Sequence, residues 1–476
     1  MTYEPVIGIE IHARISTKTK LFCRCDNVIF SLKPNTSCCE ICMGFPGALP
    51  LTNQEAIRKG MKAALALGCT LRPFSRFDRK NYFYPDLPKG YQISQYDNPI
   101  SENGKVTITL KNGAPKTIRV KRLHLEDDAA KLMHEGNATL VDFNRSGTPL
   151  MEIVSEADMN SVEEASLYAR QIQKIVRYVE ASDADMEKGM MRFDINVSLR
   201  PKGESKFGTR TECKNLNSFR SLEKALEYEI ARQTEILKSG GTVIQETLGW
   251  DDEKEVTISQ RSKEEASDYR YFPEPDIPPL MITKAMVEEL KKEIPELPEA
   301  RASRYQSELS LPLADAYQLA ETFELSDYFE KALKVSKSPK KTANWLLVEL
   351  MALLNASNQS IAQCKLSPEN LGKLVRLIED GTITGKIAKE IFPEMVKDNL
   401  DPEKLVEKKG LKVMGDSGEL EKICADVLAK NPQSVADFKA GKEKALGALV
   451  GQVMAATKGS ANPKMVNEIL RRLLSA

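Results

Sequence analysis

Histidine is scarce in this chain. Only His12, His124 and His134 occur in 476 residues, so imidazole chemistry is confined to three places. Net charge is missing as well: Lys+Arg and Asp+Glu both total 68. That balance gives no support to a wholesale nucleic-acid coat and leaves a local basic patch open. No apolar run reaches the roughly 20 residues of a membrane-spanning helix, so no membrane is expected as a partner. The beginning, "MTYEPVIGIE", is acidic and strand-like, unlike a signal or transit peptide, and a soluble cytoplasmic protein is expected. A phosphate-binding P-loop is absent: the Gly-Lys pairs are followed by Val106, Leu374, Ile387 and Glu443, never by Ser or Thr. No G-x-S-x-G elbow, glycine- and serine-rich amidase signature or glutaminase-like cysteine setting occurs. If the chemistry uses ammonia, another chain must supply it.

What is present is ordinary in bulk. Charged residues make up 29% and hydrophobic ones 41%, as in globular proteins generally. The length suggests about three domains with a large core. Internal repeats and low-complexity tracts are not found.

The segment "VIGIEIHARI" (residues 6–15) reads as a strand, with side chains alternating between faces. Ile7, Ile9, Ile11 and Ala13 share one face; Gly8, Glu10, His12 and Arg14 share the other. A solvated sheet face explains such alternation. So does a metal or phosphate site, and one strand leaves both open.

Five of the nine cysteines fall within twenty residues: Cys23, Cys25, Cys38, Cys39 and Cys42. A C-x-C pair followed across a short loop by C-x-x-C has the spacing of a tetrahedral zinc site. Cys23, Cys25, Cys39 and Cys42 are the expected ligands, with Cys38 surplus. Four protein ligands would make the metal structural rather than catalytic. Cys69, Cys213, Cys364 and Cys424 are scattered and read as plain core or surface residues.

The expected class is α+β. An N-terminal antiparallel β-sheet cradle with flanking helices spans residues 1–292. An all-α helical domain follows over 293–406, and a small helical tail domain over 407–476. "VTITLKNGAPKTIRVKRLHLE" alternates on both sides of Asn112-Gly113, a hairpin signal. "MRFDINVSLR" sets Phe193, Ile195, Val197 and Leu199 against Arg192, Asp194, Asn196 and Ser198. "SVEEASLYARQIQKIVRYVE" opens with a capping box, Ser161 and Glu164, and carries apolar residues at helical spacing. Ser221 to Leu237 is a second amphipathic helix, closed by Gly240-Gly241. Beyond the prolines of "EIPELPEARASRY" nearly everything reads as short helices. The stretch from Phe438 to Ala476 holds seven Lys/Arg against two Glu, an RNA-facing patch or a solvated helical face.

Candidate acids cluster in the strand-rich half. Glu126, Asp127 and Asp128, Glu152 with Glu156 on its strand face, and Asp194 beside Asn196 join Glu10 and His12 in an oxygen-rich set. Such a set suits magnesium carrying substrate phosphates, provided the residues converge on one sheet face.

One stretch is far more specific: "FDRKNYFYPDLPKGYQISQYDNPI" (Phe77 to Ile100). It resembles the signature of the GatB family, which forms one of the chains of the tRNA-dependent amidotransferases. "VIGIEIHARI", "LVDFNRSGTPLMEIVSE", "MRFDINVSLRP", "TECKNLNSFRSLEKALEYE" and "DYRYFPEPDIPPL" are similar to further segments of that family, in the same order. "GALVGQVMAATKGSANPKMVNEIL" resembles its C-terminal tRNA-binding domain. The resemblance covers essentially the whole chain. Asp127 stands where the family usually has Glu, and Ala130 where it has Gly; the shorter carboxylate leaves open a contact through water.

The resemblance implies amidation of misacylated Glu-tRNA(Gln) or Asp-tRNA(Asn): ATP phosphorylates the side-chain carboxylate, then ammonia displaces phosphate. It implies a heterotrimer in which the partners are an amidase (glutaminase) chain and a small third chain. Glu10, His12, Glu126, Asp127, Glu152 and Asp194 would be catalytic, around ATP phosphates and Mg2+. Glu10, His12, Asp127 and Glu152 would ligate the magnesium. Arg192, Asn196, Lys80 and Tyr82 would bind the cofactor, the last two at an ammonia-tunnel mouth. Two other readings compete. A zinc-stapled RNA-binding protein without chemistry explains the cysteines and tail but leaves the polar strand faces idle. A free-standing carboxylate–amine ligase would need no amidase partner.

Overall fold

A computed structural model describes residues 2–28, 32–262, 269–411, 417–439, 442–457, 461 and 463–475. Residues 29–31 of the cysteine-rich stretch, Asp268 of "DYRYFPEPDIPPL" and Lys458 of the basic tail lie outside the described residues. The chain divides into two compact units, Met1–Glu299 and Ala300–Ala476. No helix among the described residues is long and apolar enough to cross a membrane.

The first unit is built on a nine-stranded sheet. Its strands are β1 (Tyr3–Arg14), β2 (Thr70–Leu71), β3 (Ser101–Thr109), β4 (Pro115–Asp127), β5 (Pro149–Ser155), β6 (Met191–Pro201), β7 (Thr211–Leu216), β8 (Glu246–Asp251) and β9 (Val256–Ser262). Their order in space is β9-β8-β7-β6-β1-β5-β4-β3-β2. The N-terminal strand therefore lies at the centre, paired with β5 and β6. All neighbours run antiparallel except β7 and β8, which are parallel, so the cradle is a mixed sheet rather than a purely antiparallel one.

Alternation decides what each face of the sheet carries. Ile7, Ile9, Ile11 and Ala13 of β1 and Phe193, Ile195 and Val197 of β6 all enter one continuous core. Each isoleucine so buried contributes about 1.5–3 kcal/mol relative to exposure. Helices α1 (Gln54–Ala66), α2 (Val162–Tyr178) and α3 (Phe219–Lys238) cover that apolar side. α1 approaches the sheet closely at Gly60, where an added Cβ would sit 2.6 Å from Leu125.

The expected hairpin is present, β3 and β4 meeting around Gly113, whose φ is +83°. The capping box is shifted by one residue. Ser161 Oγ accepts from Glu164 N (3.2 Å), but the Glu164 carboxylate accepts from Asn160 N (2.6 Å) and from Lys116 Nζ. α3 begins two residues before the expected Ser221, with Ser218 as its cap.

The second unit is helical among its described residues and holds two apolar clusters, one from Ala302 to Val406 and one from Leu420 to Leu474. Two of the tail's cations are already matched: Lys442 pairs with Asp437 (3.0 Å) and Arg472 with Glu421 (2.8 Å).

Candidate functional site

Register lays the polar residues of the central strands out in cross-strand rows. His12 lies opposite Glu152 of β5 and Arg192 of β6, and Glu152 lies opposite His124 of β4. Two residues along, on the same face, Glu10 lies opposite Val154 and Asp194, and Val154 opposite Arg122. The period of two brings these residues from four strands to one surface. That surface floors a cavity of about 630 Å³ lined by Glu10, His12, His124, Glu126, Glu152 and Asp194. Lys80, Lys214, Tyr96 and Tyr271 also face it.

At its centre two imidazoles bracket one carboxylate. His12 Nε2 is 3.3 Å and His124 Nε2 3.4 Å from Glu152 Oε2. Glu126 stands 3.9 Å from His12 and 3.7 Å from His124. Burial disfavours charge on all four, but their mutual contacts win. Burial and Arg192 work against a proton on His12; the hydrogen bond and charge of Glu152, with Asp194, outweigh them and hold its pKa above the usual value. His124 is raised to about 9 against burial, chiefly by Glu152 and Glu126. Against the same burial, the two histidines draw Glu152 well below the ordinary carboxylate range, and His124 draws Glu126 down. Glu10 moves the other way: burial, then the charges of Glu152, Asp194 and Glu212, raise its pKa. Ligand atoms of His12, Glu126 and Glu152 lie within 4.8 Å of one another, close enough to share one cation.

Asp127 does not join them. Adjacent residues of a strand point to opposite faces, so Glu126 enters the cavity while Asp127 turns to the back of the sheet. There it is buried, pairs with Lys89 Nζ and accepts from Ile93 N (2.8 Å). Asp128 is also buried, its carboxylate 3.4 Å from Arg14 and 3.7 Å from Arg192. Glu156 lies past the end of β5 and lines a neighbouring cavity with Asn196 and Arg210.

The expected cofactor residues divide. Lys80 lines the cavity, 4.9 Å from the Tyr269 ring centroid, and against its burial the charges of Glu126 and Glu152 raise its pKa. Tyr82 stands behind it, its ring edge-on to Tyr269 at 5.8 Å. Arg192 faces Asp128, and Asn196 donates to Glu10 Oε1 (3.2 Å). Asp194 accepts from Asn215 N (2.8 Å), whose φ of +60° lies where the pairing of β7 with β6 shifts register between Cys213 and Leu216.

Sequence reading passed over His124, although it sits two residues before Glu126 and so on the same strand face. Glu212, Lys214, Tyr269 and Tyr271 were also missed. They come from distant segments, and only strand order brings them in.

A second constellation lies behind the sheet. The sulfurs of Cys23, Cys25, Cys39 and Cys42 lie within 4.8 Å of one another, and Cys38 is outside the group. Cys42 is pulled down to about 5 by the Cys23 thiol, despite burial, with help from Cys39 N and Lys20. Burial and Cys39 push Cys25 up to about 12. Lys20 is fully buried, its Nζ 2.7 Å from Ser37 O and 3.7 Å from Cys42 Sγ. The donor set is soft, close and partly ionised, as a tetrahedral thiolate metal site requires.

Known proteins resemble the chain along its length. A family model described as the GatB/GatE catalytic domain matches residues 5–288, and one described as the GatB domain matches residues 327–474. The B subunit of the aspartyl/glutamyl-tRNA(Asn/Gln) amidotransferase of Carboxydothermus hydrogenoformans is 51% identical over 478 residues, covering 99% of each chain. Those of Brevibacillus brevis and Persephonella marina are also 51% identical, over 100% of this chain and at least 99% of theirs.

Proposed function

The chain belongs to the GatB family, and from that premise we propose that it is the GatB component of a glutamine-hydrolysing tRNA-dependent amidotransferase. It amidates misacylated Glu-tRNA(Gln), Asp-tRNA(Asn) or both. ATP first phosphorylates the side-chain carboxylate: an oxygen of that carboxylate attacks the γ-phosphorus and ADP leaves. Ammonia then attacks the activated carbonyl carbon, and phosphate leaves. An amidase partner supplies the ammonia and a small third chain completes a heterotrimer, all in the cytoplasm.

The observation that carries this reading is the His12–Glu126–Glu152 cluster on the floor of a polar cavity ringed by lysines. Two carboxylates and an imidazole at this spacing fit a divalent cation, and Mg2+ would be held by these three residues rather than by Asp127. When bound, the cation supplies charge neutralisation for the transferred phosphoryl group. His124 holds Glu152 in place from the far side. Glu10 and Asp194, oriented by Asn196 and Asn215 N, lie one row along and bound the phosphate end of the cavity. Lys80 and Lys214 offer charge to the anionic substrates. Asp127 and Lys89 tie the Tyr82–Tyr91 segment to the back of β4, and Arg192 keeps Asp128 neutralised beneath His12. A reconstitution assay for Gln-tRNA and Asn-tRNA formation, with and without the amidase partner, tests the whole reading. Amide formation by this chain alone from free glutamine would contradict the division of labour.

Zinc is the metal proposed for the four cysteines, one per chain by elemental analysis. Replacing Cys39 and Cys42 together by serine is expected to lower the melting midpoint by about 5 °C or more. At a permissive temperature tRNA-dependent ATP cleavage should persist, because the quartet lies behind the sheet. A fully folded wild-type chain free of metal would overturn this.

The tail is proposed as a handle for tRNA. The cut belongs after Leu411, since Leu405, Val406 and Leu411 pack in the preceding cluster. Removing 412–476 should raise the tRNA concentration at half-saturation by about tenfold or more and weaken its salt dependence. Loss of rate at saturating tRNA with an unchanged half-saturation point would count against it.

A further inference from the structure

Resting on that reading of the cavity, we propose that Tyr96 and Tyr271 form a stacking platform for an adenine base at the cavity's open edge. Their rings are nearly parallel and stacked face to face, with centroids 4.1 Å apart and an interplanar angle of 8°. Both line the cavity, yet Tyr96 remains 48% exposed. A large aromatic ring left open beside a polar cavity presents a flat π-face, and a heteroaromatic base is the ligand that such a face takes.

The platform is held by backbone rather than by loose loops. Tyr96 N donates to the buried Asp78 carboxylate (2.9 Å). On the other side, Asn81 N donates to Tyr269 O (2.9 Å), and Asn81 Nδ2 to Arg270 O (2.8 Å). Both rings are thus fixed to one small sheet formed by Asp78–Asn81, Tyr91–Ser94 and Phe272–Pro273.

A separate feature points to the phosphate of the same nucleotide. Pairing of β4 with β5 jumps from Arg122↔Val154 to Val120↔Ser155, so Lys121 is an inserted residue. Such a bulge re-aims side chains, and here Lys121 and Arg122, although adjacent, both line the cavity. Arg122 Nε is buried without a hydrogen-bond partner among the described residues. Arg122 lines the same cavity as Tyr96 and Tyr271. A cation pair next to an open ring suits a nucleotide better than a free base.

Both substrates of the proposed reaction carry adenine: ATP, and tRNA at its 3′-terminal adenosine. Equilibrium binding to the full-length chain separates the sources without requiring turnover. One pair of probes is ATP and inorganic tripolyphosphate, with magnesium; the other is an RNA hairpin ending in CCA and the same hairpin ending in CC. In the wild type, adenine should strengthen binding about tenfold or more in at least one pair. Tyr96→Ala should erase that advantage, and Tyr96→Phe should keep it. The pair that moves identifies the nucleotide seated on the platform. If Tyr96→Ala fails to fold, Tyr271→Ala replaces it. An adenine advantage absent from both pairs, surviving either alanine variant, or lost equally in Tyr96→Phe would overturn the proposal. Failure of the amidotransferase reading shows separately, as absence of tRNA-dependent ATP cleavage in the wild type.

Discussion

The His12→Ala variant is expected to lose tRNA-dependent ATP cleavage by at least about a hundredfold, and added ammonium should not restore amide formation. His12 Nε2 points between Glu152 and Glu126 at 3.3 and 3.9 Å, the position of a ligand rather than of a residue steering Glu10. The defect therefore falls on activation of the carboxylate, before ammonia is used. Glutamine hydrolysis by the amidase partner should continue at its basal level. Full rescue by ammonium would move His12 to the ammonia route and remove the cluster from the first step.

Glu152→Gln should be equally damaging, for a reason that can be read without turnover. The substitution keeps the shape but removes the nearer of the two negative charges shared by the buried imidazoles. Cleavage of ATP should fall at least about a hundredfold, and divalent-metal affinity with it. In chelator-treated protein, the His124 titration, near 9 in the wild type, should drop toward the ordinary imidazole value, and His12 should drop with it. Three histidines give a simple spectrum, so proton NMR against pH resolves all of them. The sign for the wild type follows. Metal binding needs neutral His12, so affinity should rise with pH as the proton leaves. In the metal-free chain, the stability supplied by charged His124 should be present below about pH 6.5 and fade as pH rises through about 9. A His124 titration unmoved by Glu152→Gln would show that Glu152 does not set it.

Much of this site was legible in sequence because strand period is a strict rule. The alternation in "VIGIEIHARI" and "MRFDINVSLR" places Glu10, His12 and Asp194 on polar faces, and the structure has them there. The same rule, applied to "LHLEDD", separates Glu126 from Asp127 and pairs His124 with Glu126. Treating the three acids as one group hid both results. Register was not legible. Nothing local says that Glu152 falls opposite His12, or that β7 runs parallel to β8 and delivers Lys214. The one-residue insertion at Lys121 is likewise invisible in sequence, since a bulge is a property of a strand pair. The cysteine quartet was the easiest element, because ligands close in sequence need only a short loop to meet.

The order of the sheet has a consequence for how the protein is made. The central strand precedes its partners in the chain and waits for them over about 140 and 180 residues: His12 pairs with Glu152 and with Arg192. Tyr3 meets its partner only at Pro201. A nascent chain shorter than that exposes the apolar face of β1, with Ile7, Ile9 and Ile11, to the surrounding medium. Contacts this distant in sequence slow folding and prolong exposure to aggregation. Refolding from denaturant should accordingly be slow, and amino-terminal fragments ending before about residue 200 should be insoluble. By the same logic the cation site waits on long-range pairing, since His12 meets Glu152 only once a strand about 140 residues later has joined β1.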